Sequence, residues 1–409
     1  MMRKITYWLA VILIFIVPWE DSLSVSTLGS LARVMGLVVA VFWVATILLE
    51  GRFRKPHLFH VLVLLFFLWN FVSLFWSLDI ESTIQRIKTY SQIFLLMLIF
   101  WEVFQKPDNL MAGLQAYIYG AYVLIASTIY NYINGNVAVA YEGRYSATGV
   151  NAVDLTMILM MGLPIAMQLF FAAGQENKGG ILKLINLAYI PSSIFAIILT
   201  GSRTSLIAII PFGIYLFATQ QIKFDRKILV FGILLISLLA LLPFIPQTVI
   251  TRLGTVGASI EAGDLGGRGD LWREGIAAFA KHPILGVGGG AINYAIGAAV
   301  HNTFISVATE TGLIGFVLFL SILGLVVYKV SRLPRRTSEL WLAIFMTWAI
   351  GVLSLSWEFR KVTWIILSFA IIESCFEEQV LEHNGNIKFP RGIKPSFEAE
   401  EIVSQPKMT

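Results

Sequence analysis

Runs of about 20 apolar residues recur along this chain, each closed by a short polar stretch, and no other feature restricts its folding so strongly. A segment of that kind crosses a bilayer as a helix, because each backbone N–H and C=O must find a partner within the segment once water is gone. Such runs fall at residues 5–19, 31–49, 58–77, 88–104, 111–133, 151–173, 184–200, 205–219, 228–246, 303–329, 340–356 and 362–378. They predict an all-α polytopic membrane protein with about twelve transmembrane helices. The runs at 5–19 and 205–219 are the shortest. With 57% hydrophobic and 13% charged residues, the chain lies outside the range of soluble domains, where about 25% is charged.

A formal charge of +5 would suggest nucleic-acid binding in a soluble protein, but here the basic residues sort by side of the membrane. With the N-terminus inside, 19 of the 30 Lys and Arg residues fall in cytoplasmic segments, most clearly in the loops "EGRFRKPH", "QQIKFDRK" and "SRLPRRTSE", which predicts both termini in the cytoplasm. The first run is followed by "PWEDSLS" rather than a small-residue cleavage site, so it is a retained span. Residues 1–378 then form one polytopic domain with a long outer loop at 247–302, and 379–409 a mobile cytoplasmic tail. The single cysteine, Cys375, excludes an internal disulfide.

Polar residues that are not anchors gather on the outer side. Arg203 lies in "LTGSRTSL", a short turn between two apolar runs, and reads either as a helix-end anchor or as an anion clamp whose planar fork suits phosphate. In the long loop, "GRGDLWREGIAAFAKHP" places Leu271, Trp272, Ile276, Phe279 and Ala280 at helical spacing, which predicts a helix along the outer interface. Arg268 stands at its entrance, placed to meet a lipid headgroup, and His282 has a structural role before Pro283. "LGVGGGAIN" matches a dinucleotide-binding pattern from Gly286 but lacks the preceding strand, so it is read as a re-entrant or close-approach segment.

The stretch "HNTFISVATETGLIGFVLFL" opens an apolar run on His301 and Asn302. On a straight helix Gly312 and Gly315 lie within about 40° of the His301 face, whereas Glu310 lies about 180° away. The glycines would let a neighbouring helix pack against the His301 face, and Glu310 would need a partner such as an arginine from an adjacent helix. His301 reads either as a surface histidine or as a general base poised near neutral pH. His57, His60 and His383 lie in cytoplasmic segments and cannot join it in a metal cluster.

"GRGDLWREGIAAFAKHPILGVGGG" followed by "HNTFISVATETGLIG" resembles the signature region of the bacterial O-antigen ligase and polymerase family, with the pattern H-N-x7-E-x-G-x2-G after a G-R-x3-W loop. "TGSRT" is similar to the family's arginine turn, and "GRYSATGVNAVD" to its arginine-containing segment before the next span, where Asp154 departs from the pattern and leaves the roles of Asn151 and Asp154 open. The resemblance implies glycosyl transfer at the outer face of a bacterial inner membrane. Its donor would be an undecaprenyl-diphosphate-linked glycan, and its acceptor a sugar hydroxyl of a glycolipid or glycan. Arg203, Arg268 and Arg144 would bind the diphosphate, His301 would be the base, and Asn302, Glu310, Gly312 and Gly315 would support the site. The resemblance implies inversion with no metal and no cofactor.

Alternatives are a polymerase of the same family, a glycosyltransferase with Glu20 or Asp21 as base, and a lipid-linked glycan transporter. A transporter would carry ionisable residues near the midplane, whereas this chain concentrates charge at one surface.

Overall fold

A computed structural model describes residues 1–25, 29–138, 143–175, 180–219, 228, 232, 235–237, 239–254 and 268–385. The helices are α1 (Met2–Ile16), α2 (Leu31–Glu50), α3 (Leu58–Val72), α4 (Ile80–Val103), α5 (Pro107–Ile133), α6 (Ala152–Gln175), α7 (Gly180–Leu199), α8 (Thr204–Ala208) and α9 (Ile210–Ala218). After them come α10 (Gln247–Gly254), α11 (Arg268–Lys281), α12 (Ile292–Ile296), α13 (Thr303–Ser331), α14 (Arg335–Gly351) and α15 (Lys361–Gly385). A two-residue antiparallel pair, Ser24–Val25 with Gly29–Ser30, precedes α2.

Among the described residues, seven helical segments are long and apolar enough to cross a membrane: Met2–Ser22, Leu31–Glu50, Leu58–Phe75, Pro107–Ile133, Ala152–Ala173, Gly180–Leu199 and Thr303–Ser331. The predicted runs at 88–104, 340–356 and 362–378 are helical too, inside α4, α14 and α15. Charges in α4 (Glu81, Arg86, Lys88, Glu102) and the 17-residue length of α14 keep these two outside that group. The run at 205–219 is divided at Ile209 into α8 and α9, with Pro211 in the first turn of the second, and within 228–246 residues 229–231, 233–234 and 238 lie outside the described residues. The expected tail begins later than 379, since α15 continues to Gly385, and 386–409 lie outside the described residues.

The most enclosed span is α6, packed by α5, α7 and α14. The charge pairs fix which helix ends lie together. Arg3 at the start of α1 meets Glu50 at the end of α2 (3.2 Å) and Glu102 at the end of α4 (2.7 Å), so these three ends define one face. The opposite ends of the same helices meet residues that follow α5, open α6 and precede α13 and α15. This second face carries His301.

Candidate active site at the His301 end

The backbone carrying His301 is unusual. Its φ of 49° is the one positive value for a non-glycine residue among those described, a conformation that costs about 1–3 kcal/mol and persists only where the surroundings enforce it. The enforcement comes from the next two residues. Asn302 is buried and caps α13, its Oδ1 accepting from the amides of Phe304 (3.0 Å) and Ile305 (3.1 Å), while its Nδ2 donates to the Leu353 carbonyl (3.3 Å). The Thr303 amide donates to Val352 O (2.9 Å), and its hydroxyl donates to Leu355 O and accepts from the Trp357 amide (both 2.8 Å). His301 is thereby stitched to the 352–360 segment that links α14 and α15.

That segment also holds the start of α6. Trp357 Nε1 donates to Asp154 Oδ1 and Arg360 Nη2 to Asp154 Oδ2, both at 2.7 Å, and Arg360 Nη1 donates to Asp21 (2.7 Å). The open question about Asn151 and Asp154 has a structural answer: Asn151 Oδ1 accepts from the Val153 amide (2.8 Å) at the helix entrance, and Asp154 ties α6 to the segment beside His301. Glu20 and Asp21, the alternative base candidates, pair with Lys361 and Arg360 respectively.

Three arginines meet at the turn after α7. Arg144, buried, donates through Nε to Thr200 O (2.6 Å), and Arg252 donates through Nε to Gly201 O (3.1 Å). Arg203 lies on the same turn, just before α8. Thr200 is hydrogen-bonded to Thr156 of α6 (3.0 Å), and Thr204 to Ser354 (3.0 Å), one residue from the carbonyl that binds Asn302. The arginine turn and His301 are therefore fastened to the same short segment. Arg252 went unnoticed in the sequence, although a basic residue in "QTVITRLG" on the outer side was a usable signal.

Arg268 reaches His301 through α11. The predicted helix is present, and its small residues face the protein. Gly275 and Ala278 are buried, whereas Ile276 and Ala280 are exposed. Gly275 lies against Val300 and Ile305, and its carbonyl accepts from Thr309 Oγ1 (3.0 Å), so small residues set the packing of α11 on α13. Partial enclosure of the exposed His301 ring, then the charge of Arg268, lower its pKa from the ordinary imidazole value, and Asp154 acts in the opposite direction. The neutral ring is favoured at pH 7, as a proton acceptor requires.

The helical face arithmetic fails for Gly312, because α13 breaks there (φ 64°, ψ −169°), whereas Glu310 precedes the break and finds the arginine of another helix that it was expected to need. These angles are accessible to glycine almost alone, and a Cβ there would overlap the Ile284 carbonyl. The glycine-rich loop lies in the gap: Val287 N donates to Thr309 O (2.9 Å) and Gly288 N to Glu310 O (3.0 Å), while Leu313 N donates to Pro283 O (2.8 Å). Gly286 allows this approach from the other side. Gly315 alone packs as expected, against Trp69 of α3. Glu310 is buried and meets Arg86 of α4 at 2.9 Å, and the same guanidinium binds buried Glu358 at 2.9 Å. Ser306 also donates to Glu358 (2.9 Å). Neither Arg86 nor Glu358 stood out in the sequence, since pairing between distant helices leaves no local pattern.

Among the described residues, no group of three or more His, Cys, Asp or Glu side chains could hold a metal ion. Fold and site together define a polytopic helical membrane protein with a histidine and several arginines gathered at one face. Residues 188–320 match the family model described as O-antigen ligase, which supports the O-antigen ligase and polymerase family for this chain. The matched stretch contains Arg203, Arg252, Arg268, His301, Glu310, Gly312 and Gly315, while Arg144, Asp154 and Arg360 lie outside it. No curated protein matches the chain. The match suggests activity of the ligase or polymerase type.

Proposed function

We propose that this protein is a ligase-type glycosyltransferase of a bacterial inner membrane, with both termini cytoplasmic and the His301 face periplasmic. It moves a glycan from undecaprenyl diphosphate to a sugar hydroxyl on a glycolipid or glycan. One observation supports this most: a histidine with a lowered pKa and an arginine turn are fastened to the same 352–360 segment.

His301 takes the acceptor hydroxyl proton as that oxygen attacks the anomeric carbon. The bond from that carbon to the diphosphate oxygen breaks with inversion. The charge that develops on the leaving diphosphate is stabilised by Arg203, Arg268 and Arg144, with Arg252, bound to the Gly201 carbonyl, as a fourth cation. These cations supply the stabilisation that a divalent metal would otherwise give, so transfer is metal-independent.

The test uses proteoliposomes carrying undecaprenyl-diphosphate-linked oligosaccharide, with and without a glycolipid acceptor. Release of the lipid diphosphate only when acceptor is present, lost in His301→Ala, is the expected result. Release without acceptor and a ladder of growing products would identify a polymerase. A strict requirement for divalent metal would overturn the mechanism.

A further inference from the structure

An apolar groove runs between α1, α2 and α4 toward the His301 end, lined by Leu13, Ala32, Gly36, Leu37, Leu95 and Ile99. Along α4 it extends from Gln92 to Ile99, about 10 Å at the helical rise. Its floor is open at Gly36, where an added Cβ would meet no heavy atom within 4 Å. Arg33 and Lys361 also line it, each in the first turn of its helix. The helix dipole disfavours a cation there, so both positions call for an anion. Glu20 answers Lys361. Arg33 is exposed and, among the described residues, pairs with no carboxylate.

We propose that this groove holds one hydrocarbon chain of a phosphate-bearing lipid, with the phosphate on Arg33, and that this lipid carries the acceptor hydroxyl. The groove's charged end leads to the site, because Lys361 follows Arg360, which binds Asp154, and Asp154 acts electrostatically on His301. The arginine turn is built from the segments after α5 and α7 and from α10, none of which lines the groove, so the groove is assigned to a second lipid distinct from the donor. The acceptor role rests on the glycosyl transfer proposed above; lipid binding does not.

The test places the photocrosslinker p-benzoylphenylalanine at Leu37, which lines the groove, or at Leu48, a lipid-exposed position near the other end of α2. The protein sits in nanodiscs of phosphatidylcholine with a minority of phosphatidic acid. At Leu37, phosphatidic acid adducts should exceed the disc ratio several-fold, while at Leu48 they follow it. Arg33→Gln and Gly36→Leu should each return Leu37 to the disc ratio; the leucine enters open space and leaves folding intact. Adducts at the disc ratio in the otherwise unaltered protein, or enrichment that survives Gly36→Leu, would overturn the groove. In the transfer assay Gly36→Leu should raise KM for a lipid acceptor several-fold and leave kcat unchanged. An unchanged KM beside enriched crosslinking would overturn the acceptor role alone. Loss of the enrichment with transfer intact would leave the proposed reaction standing.

Discussion

Replacing Arg86 by methionine tests whether the buried charges beneath His301 hold the site together. The guanidinium divides its two terminal nitrogens between Glu310 and Glu358, each at 2.9 Å, and those carboxylates are 1% and 0% exposed. Removing one partner of a buried ion pair costs about 3–5 kcal/mol, and here a single substitution strands two carboxylates. At about 1.4 kcal/mol per decade, that is roughly two to four decades in the folding equilibrium. The Arg86→Met protein should therefore unfold several degrees earlier, followed by tryptophan fluorescence in detergent. Transfer should fall with it, because Ser306 and Glu310 belong to the segment that His301 opens. The triple variant Arg86→Met, Glu310→Met, Glu358→Met removes all three charges and should recover most of the lost stability, since a buried ion cluster exchanged as a whole for apolar groups of similar volume is often nearly neutral. A single variant as stable as the starting protein, or a triple variant less stable than the single, would refute the reasoning.

Transfer should rise with pH through a midpoint below the ordinary imidazole value, because enclosure and Arg268 both favour the neutral ring. Removing the Arg268 charge in Arg268→Gln makes protonation easier, so the acid limb should move to higher pH, which a pH–rate profile reads directly. Gly312→Ala should be poorly folded, since strain at that backbone costs about 1–3 kcal/mol and overpacking against Ile284 about 1–3 kcal/mol more; size-exclusion chromatography after mild heating measures the loss.

Much of the fold could be read from the sequence because membrane spans are written locally. A run of apolar residues specifies its own helix, and its charge-rich ends specify a face. The outer polar segments, the helix after Arg268 and the arginine turn all follow from such local patterns. What stayed hidden depends on contacts between segments far apart in the chain. Arg252 joins the turn at 200–203 from 51 residues away, and Arg86 reaches Glu310 across 224.

The break at Gly312 shows why an individual motif can mislead when its spacing is read on an ideal helix. The pair Gly312 and Gly315 suggests a small-residue stripe for helix packing, and only Gly315 serves as one. Gly312 instead opens the helix so that the carbonyls of Thr309 and Glu310 accept from Val287 and Gly288. The glycine-rich loop, expected to be a re-entrant or close-approach segment, is the other half of this joint. Its glycines permit backbone to approach backbone: Gly286 and Gly312 both have positive φ, and each would carry its Cβ into the opposing chain. The joint holds residues 303–311 as a short helix of their own, clamped by α11, by Arg86 and by the 352–360 segment. A long continuous span would tie His301 to the tilt of one transmembrane helix. A short, separately anchored helix fixes it relative to Arg268 and the arginine turn, the groups that act with it in the proposed transfer.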